Sequence, residues 1–341
     1  MFQRKTLFVI GAGASYEVGI PVGIKLAKMI SETLSITRDD SADSPGQRIL
    51  ASIYDKWPAG RNVYQQAAGA ISRGVRLANS IDDYLDQHST DEPIQRVGKA
   101  AIVRAILNTE QSSDFKYDFA NARNTLIDID NIENTWFVKF FRMLATGVNV
   151  VSVKSILNNV AFIVFNYDRC LEFFLVQALQ LSYGIGANDA LEIVSRCSIL
   201  HPYGVVAPLF PLDNGLPFGG QGLYEYDYAK YSDNVQIFTE PAKTDNTLFH
   251  IHEYMKAAEQ IIFLGFGFHN RNLDLLRPVE KMPMKDILGT ILGQSPNSIE
   301  IVKSKLLRMI DGDQMVAKMR MDLSDMECKD FFDYHQRALP E

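Results

Sequence analysis

Four short segments of this chain carry residue types suited to nucleotide chemistry, and each follows an apolar run. Gly11-Ala12-Gly13-Ala14-Ser15 follows Leu7-Phe8-Val9-Ile10. Asn166-Tyr167-Asp168 follows the run 160–165, and His201-Pro202-Tyr203-Gly204 follows 197–200. Gly265-Phe266-Gly267-Phe268-His269 follows 260–264. A glycine-rich turn between strand and helix lets backbone N–H groups approach a diphosphate. Asparagine offers both a donor and an acceptor, aspartate offers acceptors, and histidine exchanges a proton near neutral pH. Each segment also has a plainer reading. Asn166 and Asp168 suit a helix N-cap. His201 suits a half-buried ring held by a backbone carbonyl. Gly265 and Gly267 suit a close approach of backbone to the first loop. His269, Asn270 and Asn272 serve either a ribose or adenine edge, or the cap of a helix containing 273–276.

Those segments need a frame. Residues 6–10 read as a central strand, apolar on both faces. Residues 21–34 have helical spacing, with Pro21 in the first turn. Residues 38–46 are polar and read as a loop and boundary. Between about 47 and 144 strand signals nearly vanish; 65–80, 81–88, 93–108 and 135–144 carry helical spacing, and 114–134 is ambiguous. Strands are expected at 160–165, 197–200, 235–238, 260–264 and 287–292. Helices are expected at 169–181, 247–259 and 295–310. Residues 207–222 read as loop, and 322–339 as an amphipathic helix. This alternation predicts an α/β fold: a Rossmann-like, mostly parallel sheet with helices on both faces, plus a helical insertion. The core is expected at 1–46 and 147–310, the insertion at 47–146, and a helical C-terminal tail at 311–341. Ligands of such sheets bind beyond the carboxyl ends of the strands, where all four segments should meet.

Composition narrows the chemistry. The chain has 341 residues, 47% of them apolar, with 34 Lys and Arg against 41 Asp and Glu, a net charge of −7. An acidic balance disfavours a surface built for nucleic-acid phosphates, so nucleic acid is expected only as an indirect partner. Cys170, Cys197 and Cys328 are dispersed and supply neither a structural zinc site nor a disulfide framework. His88, His250, His252 and His335 have no metal-ligand spacing, so no metal is expected. No apolar run is long enough to span a bilayer. The chain is therefore read as cytoplasmic and without a membrane partner. Neither a P-loop nor a Gly-x-Ser-x-Gly elbow occurs. Tyr16 stands where a dinucleotide fingerprint has its third glycine, which disfavours an ordinary nicotinamide dehydrogenase.

Taken together, the four motifs resemble those of the sirtuin-like superfamily, and more closely its bacterial branch of NAD-consuming anti-phage defence proteins. Gly11-Ala12-Gly13-Ala14-Ser15, with Gly19-Ile20-Pro21 behind it, resembles the NAD-binding loop. Phe165-Asn166-Tyr167-Asp168 resembles the Asn-Ile/Tyr-Asp motif. His201-Pro202-Tyr203-Gly204 resembles the His-Gly motif with two residues inserted, and Gly265-Phe266-Gly267 resembles the strand end that contacts the adenosine half. The segment opening Ser80-Ile81-Asp82-Asp83-Tyr84-Leu85 is similar to the helical insert of these proteins. The resemblance covers about residues 1–35 and 155–295. Two features depart from it. The four-cysteine zinc module of protein-deacylating sirtuins is missing, and Val22-Gly23-Ile24 stands where they carry Asp-Phe-Arg. Zinc and deacylation are therefore not expected.

What the resemblance implies is NAD as a substrate, cleaved at the nicotinamide–ribose bond through an oxocarbenium-like state. Residues 11–15 would hold the diphosphate through backbone N–H groups and the Ser15 hydroxyl. Asp168 would read the carboxamide. Asn166 would position water or the ribose hydroxyls, and His201 would act as base or hydroxyl polariser. The resemblance also implies a homo-oligomer or a HerA-type ATPase partner, other members working with a short Argonaute or fused sensor domains. The alternatives carried forward are a non-catalytic NAD or ADP-ribose binding module gating a partner ATPase or nuclease complex, a nuclease subunit and a deacylase.

Overall fold

A computed structural model of the chain describes residues 2–37, 39–58, 60–116, 126–209, 211–220, 227–237, 245–337 and 339. Six strands form one all-parallel sheet: β1 (Thr6–Ile10), β2 (Val160–Val164), β3 (Ser198–Leu200), β4 (Gln260–Leu264), β5 (Asp286–Thr290) and β6 (Met321–Ser324). Their order is β3-β2-β1-β4-β5-β6. The chain runs outward from β1 to β3, then returns to place β4 on the other side of β1. The crevice beyond the carboxyl ends of β1 and β4 is thus a topological switch point, where open α/β sheets take ligands. This is the Rossmann-like α/β architecture expected from the strand–helix alternation.

β1 is flanked by strands on both sides and covered on both faces, which is why all five of its residues are apolar or buried. Its side chains alternate between two cores, as a period of two requires. Leu7 and Val9 join one core, and Phe8 and Ile10 the other. Onto the first core pack α2 (Gly23–Thr33), α3 (Pro45–Lys56), α4 (Arg61–Gly74), α5 (Ile81–Gln87) and α6 (Glu92–Gln111). A short α1 (Ala12–Tyr16) precedes them. The second core takes α7 (Trp136–Ala145), α8 (Cys170–Tyr183) and α9 (Ala187–Ser195), around Phe8, Phe140, Phe162 and Trp136. The helical stretch 47–146 is therefore divided between the two faces of the sheet. Later helices are α10 (Tyr228–Tyr231), α11 (Asp245–Ala257), α12 (Asn270–Leu276), α13 (Pro296–Leu307), α14 (Gln314–Met319) and α15 (Cys328–Tyr334). Among the described residues no helix is long and apolar enough to cross a membrane.

Several expectations are corrected. The tail is not wholly helical: residues 321–324 form β6, paired in parallel with β5 through Ile287–Met321. Only Met321 and Leu323 of that edge strand are buried, so its signal is two residues long. Residues 235–237 form no strand; Gln236 N–H donates to the Tyr203 carbonyl at 2.9 Å. Phe238 lies outside the described residues, as do 117–125 of the ambiguous stretch. Most of the expected glycine-rich turn is itself helical: α1 covers residues 12–16 with Gly11 as N-cap, and Gly19 (φ +91°) breaks it from α2. Pro21 lies ahead of α2, whose N-cap is Val22.

Two carboxylates tie the helices to the sheet. Glu17, just after α1, accepts from Trp136 N at 2.8 Å and from Lys329 N at 2.7 Å. One side chain thereby satisfies donors in the first turns of α7 and α15, where orphan N–H groups need acceptors. Glu110 of α6 and Arg169 form an ion pair with side chains at most 1% exposed. Arg169 Nε donates to Glu110 Oε1 at 3.0 Å, and Nη1 donates to the Leu216 carbonyl at 2.8 Å. Glu110 also accepts from Arg169 N (3.1 Å) and Gly219 N (3.0 Å). So saturated a buried pair holds α6, the start of α8, Pro208 and residues 216–219 together. Glu110→Ala leaves a buried guanidinium uncompensated and is expected to cost about 3–5 kcal/mol in urea unfolding. A loss below about 1 kcal/mol, the worth of a surface pair, would contradict this role.

Candidate active site

The segments after β1, β2 and β4 meet on one cavity of about 850 Å³. Gly11, Ala12, Gly13, Asn166, Gly265, Phe266, Gly267 and His269 all line it. Ala14 and Ser15 lie buried behind the wall, Pro21 is buried beside its lining neighbours Val22 and Gly23, and Asp168 and His201 are not part of the lining.

The glycines of the first and last segments touch each other. Gly13 N–H donates to the Gly265 carbonyl at 3.0 Å, and Gly11 N–H to the Leu264 carbonyl at 3.0 Å. A Cβ on Gly11 would sit 2.6 Å from Gly265 O, and one on Gly13 would sit 2.8 Å from Gly265 Cα. Gly265 has φ +56°, where a side chain is strained in any case. The close-approach reading therefore holds, and it changes the expected diphosphate cradle. Ala14 N–H returns to the Gly11 carbonyl at 3.0 Å. Among the described residues, Ala12 N–H is the loop donor of residues 11–14 with no acceptor, and it borders the cavity.

Ser15 is also engaged. Its Oγ accepts from Asn166 Nδ2 at 3.0 Å and donates to Asp168 Oδ1 at 3.1 Å. Asp168 Oδ1 further accepts from the N–H of Cys170, the first residue of α8, at 3.1 Å; Arg169 is the N-cap, so Asp168 binds the helix start from one residue ahead of the cap. Burial pushes its carboxyl upward, offset in part by those donors. Asn166 Nδ2 also donates to the Gly11 carbonyl at 3.2 Å. Its side chain is thus fixed through nitrogen, and among the described residues nothing donates to its Oδ1.

His201 is held from both ends of its ring. Nδ1 lies 2.9 Å from the Asn166 carbonyl and Nε2 lies 2.7 Å from Glu172 Oε1. Burial opposes a charged ring, but the Glu172 carboxylate outweighs it and holds the pKa above the ordinary imidazole value.

Asp82, Tyr167, Tyr203, Phe268 and Asn272 also line the cavity. Asp82, from α5, lines the cavity and pairs with Tyr167 Oη. Desolvation raises its pKa from 3.8 to about 6, the Tyr167 hydrogen bond and His269 opposing the rise. Tyr167 Oη also lies 2.9 Å from the Gln236 carbonyl. One hydroxyl proton faces two acceptors there, so a protonated Asp82 would satisfy all three oxygens. Tyr203 Oη donates to Asn272 Oδ1 at 2.7 Å, and both residues line the cavity. Arg271 of α12 pairs with Asp86 of α5, one helical turn from Asp82, and holds α5 over the site. Phe268, at φ +51°, is a strained position held by packing against Phe263 and Phe266. Tyr167 and Tyr203 lie inside recognised motifs. Asp82 lies in the Ser80–Leu85 segment that resembles the helical insert, but nothing local marks it as a site residue, because its contact with Tyr167 spans 85 residues.

The chemistry available is a hydrogen-bond acceptor at Asn166, one open backbone donor at Ala12, and a carboxyl poised near neutrality at Asp82. Among the described residues no group of His, Cys, Asp and Glu could hold a metal ion. The three cysteines are unpaired, and burial raises Cys197 and Cys328 to about 12.

A raised folded-state pKa means that Asp82 stabilises the fold less once ionised. Its effect on stability is absent below about pH 4 and grows unfavourable as pH rises to about 6. Relative to the difference at pH 4, Asp82→Asn is expected to be more stable than the parent at pH 7.5, by on the order of 1–3 kcal/mol. Denaturant midpoints across pH 4–8 measure this. Parallel stability profiles would contradict it.

No protein-family model matches the chain, and no curated protein matches it.

Proposed function

We propose that the cavity binds NAD+ and that the chain hydrolyses its nicotinamide–ribose bond, giving nicotinamide and ADP-ribose. One observation carries this reading: the loops after β1, β2 and β4 meet at the switch point of a Rossmann-like sheet, on a cavity that also presents Asn166 and an ionisable Asp82. The ligand class rests on the resemblance of those loops to the sirtuin-like motifs. In this mechanism the C1′–N bond breaks and its electron pair leaves with nicotinamide, discharging the pyridinium. Little acid assistance is needed. Water adds to C1′ and gives its proton to the Asp82 carboxylate, whose pKa of about 6 suits a base at neutral pH. Asn166 Oδ1 orients that water or a ribose hydroxyl. Ala12 N–H contacts the diphosphate.

An enzyme of this kind depletes a shared cofactor, which fits a regulated anti-phage defence effector. Control through homo-oligomerisation or a HerA-type ATPase partner belongs to the same proposal. A second reading, a non-catalytic NAD or ADP-ribose binding module, draws on His201. Both of its ring nitrogens are engaged away from the cavity.

Nicotinamide release from NAD+, alone and with a co-encoded ATPase where one exists, separates the two. The hydrolase reading expects turnover that rises with pH through about 6 and falls about 10²–10⁴-fold in Asp82→Asn, with NAD+ affinity within a few-fold of the parent. Saturable binding without release would favour the binding module. Full activity in folded Asp82→Asn and Asn166→Ala would refute the site.

A further inference from the structure

We propose that Glu172 is a positioning residue of this site: it holds His201 as a doubly protonated imidazolium, which fixes the Asn166 main chain and leaves proton acceptance to another carboxylate. The partners of the ring are a carboxylate oxygen at 2.7 Å and a peptide carbonyl at 2.9 Å. The carbonyl can only accept, and the Glu172 carboxyl, held below its ordinary pKa by the ring, is ionised and accepts as well. With two acceptors as partners, both ring nitrogens carry hydrogen. A neutral ring would turn a lone pair on one of them.

Glu172 depends on the ring in return. It lies in the first turn of α8, and its second oxygen, Oε2, is buried with no partner among the described residues. Burial alone would raise its pKa, yet the His201 charge brings it below the ordinary carboxylate value. The other charged groups facing the pair are committed elsewhere. Arg169 attracts Glu172 but bonds Glu110 and the carbonyls of Pro208, Leu216 and Pro217. Asp168 adds a weaker pull on His201 while bonding Ser15 and Cys170. The nearby Cys197 thiol is kept neutral by burial.

Asn166 is the beneficiary. His201 anchors its carbonyl, and Gly11 O and Ser15 Oγ anchor its amide nitrogen. Those three bonds fix the side chain and carbonyl of Asn166, a lining residue whose Oδ1 has no donor among the described residues. The consequence for catalysis rests on the hydrolase reading and has a definite sign. A histidine base works only when neutral, so activity would rise through its pKa. An imidazolium clamp works only when charged, so activity falls as pH rises through its pKa.

The test follows the His201 ring carbons by NMR in the full chain labelled at histidine, its signal identified by its loss in His201→Gln. The parent is expected to titrate above about 6.5. In Glu172→Gln the midpoint is expected to drop by about one pH unit or more, and Glu172→Asp to lie between. NAD+ turnover in Glu172→Gln then fails at lower pH on its alkaline side. A parent midpoint at or below about 6.5 overturns the proposal. So does a Glu172→Gln profile whose acid side moves to lower pH, the signature of a histidine base. Should no sample turn over NAD+, the hydrolase reading fails alone, and the NMR midpoints still decide the Glu172–His201 pairing. Should Glu172→Gln not fold, the parent midpoint decides.

Discussion

The site depends on two backbone segments that touch with no side chain between them. Gly11 and Gly13 after β1 press against Gly265 after β4, and a Cβ at any of the three would overlap the other segment. Adjacent parallel strands splay their loops apart only when helices or side chains intervene. Here the loops stay joined, and the Gly13–Gly265 bond extends the β1–β4 pairing beyond the strands. The crevice opens around that seam. The same contact consumes the N–H groups of Gly11 and Gly13, so the proposed diphosphate contact rests on Ala12 N–H. The glycines of this chain are thus packing residues first, and binding residues only by position.

The side chains that meet the cavity are supplied by elements far apart in sequence, and buried charge keeps them in place. Glu17 ties the end of the first loop to α7 and α15. Glu110 and Arg169 join the insertion to the start of α8, next to Asp168 and Asn166. Arg271 and Asp86 hold α5 over the site, and α5 delivers Asp82. The buried Glu110–Arg169 pair contributes little net stability relative to apolar packing, but it is costly to break on one side, and it therefore fixes register between the helical layer and the sheet edge. Asp82 runs the other way: burial raises its pKa, so its ionisation costs stability.

The sequence made the frame of the site plain. β1, β2 and β4 are short runs of apolar residues buried on both faces, and such runs are visible without any partner. β6 escaped notice because only Met321 and Leu323 are buried in it, and α15 follows at once. The motif positions were legible for the same reason as the strands, since a strand end fixes where the next residue lies. Side-chain direction was not. Asn166 lines the cavity, whereas Asp168 turns to Ser15 and the start of α8 and His201 turns to Glu172; no spacing rule separates these outcomes. Asp82 stood in a recognised segment, yet its place in the site was not legible, because its environment is made by desolvation and by Tyr167 rather than by its neighbours in α5.

The most direct measurement is a crystal structure of the chain with a non-hydrolysable carbocyclic analogue of NAD+. The expected result is density for the dinucleotide in the cavity beyond β1 and β4. Its diphosphate should lie at Ala12 N–H, and its ribose within hydrogen-bond reach of Asn166 Oδ1 and Asp82. A cavity that stays free of the analogue at saturating concentration, or an analogue bound elsewhere on the chain, would contradict the assignment.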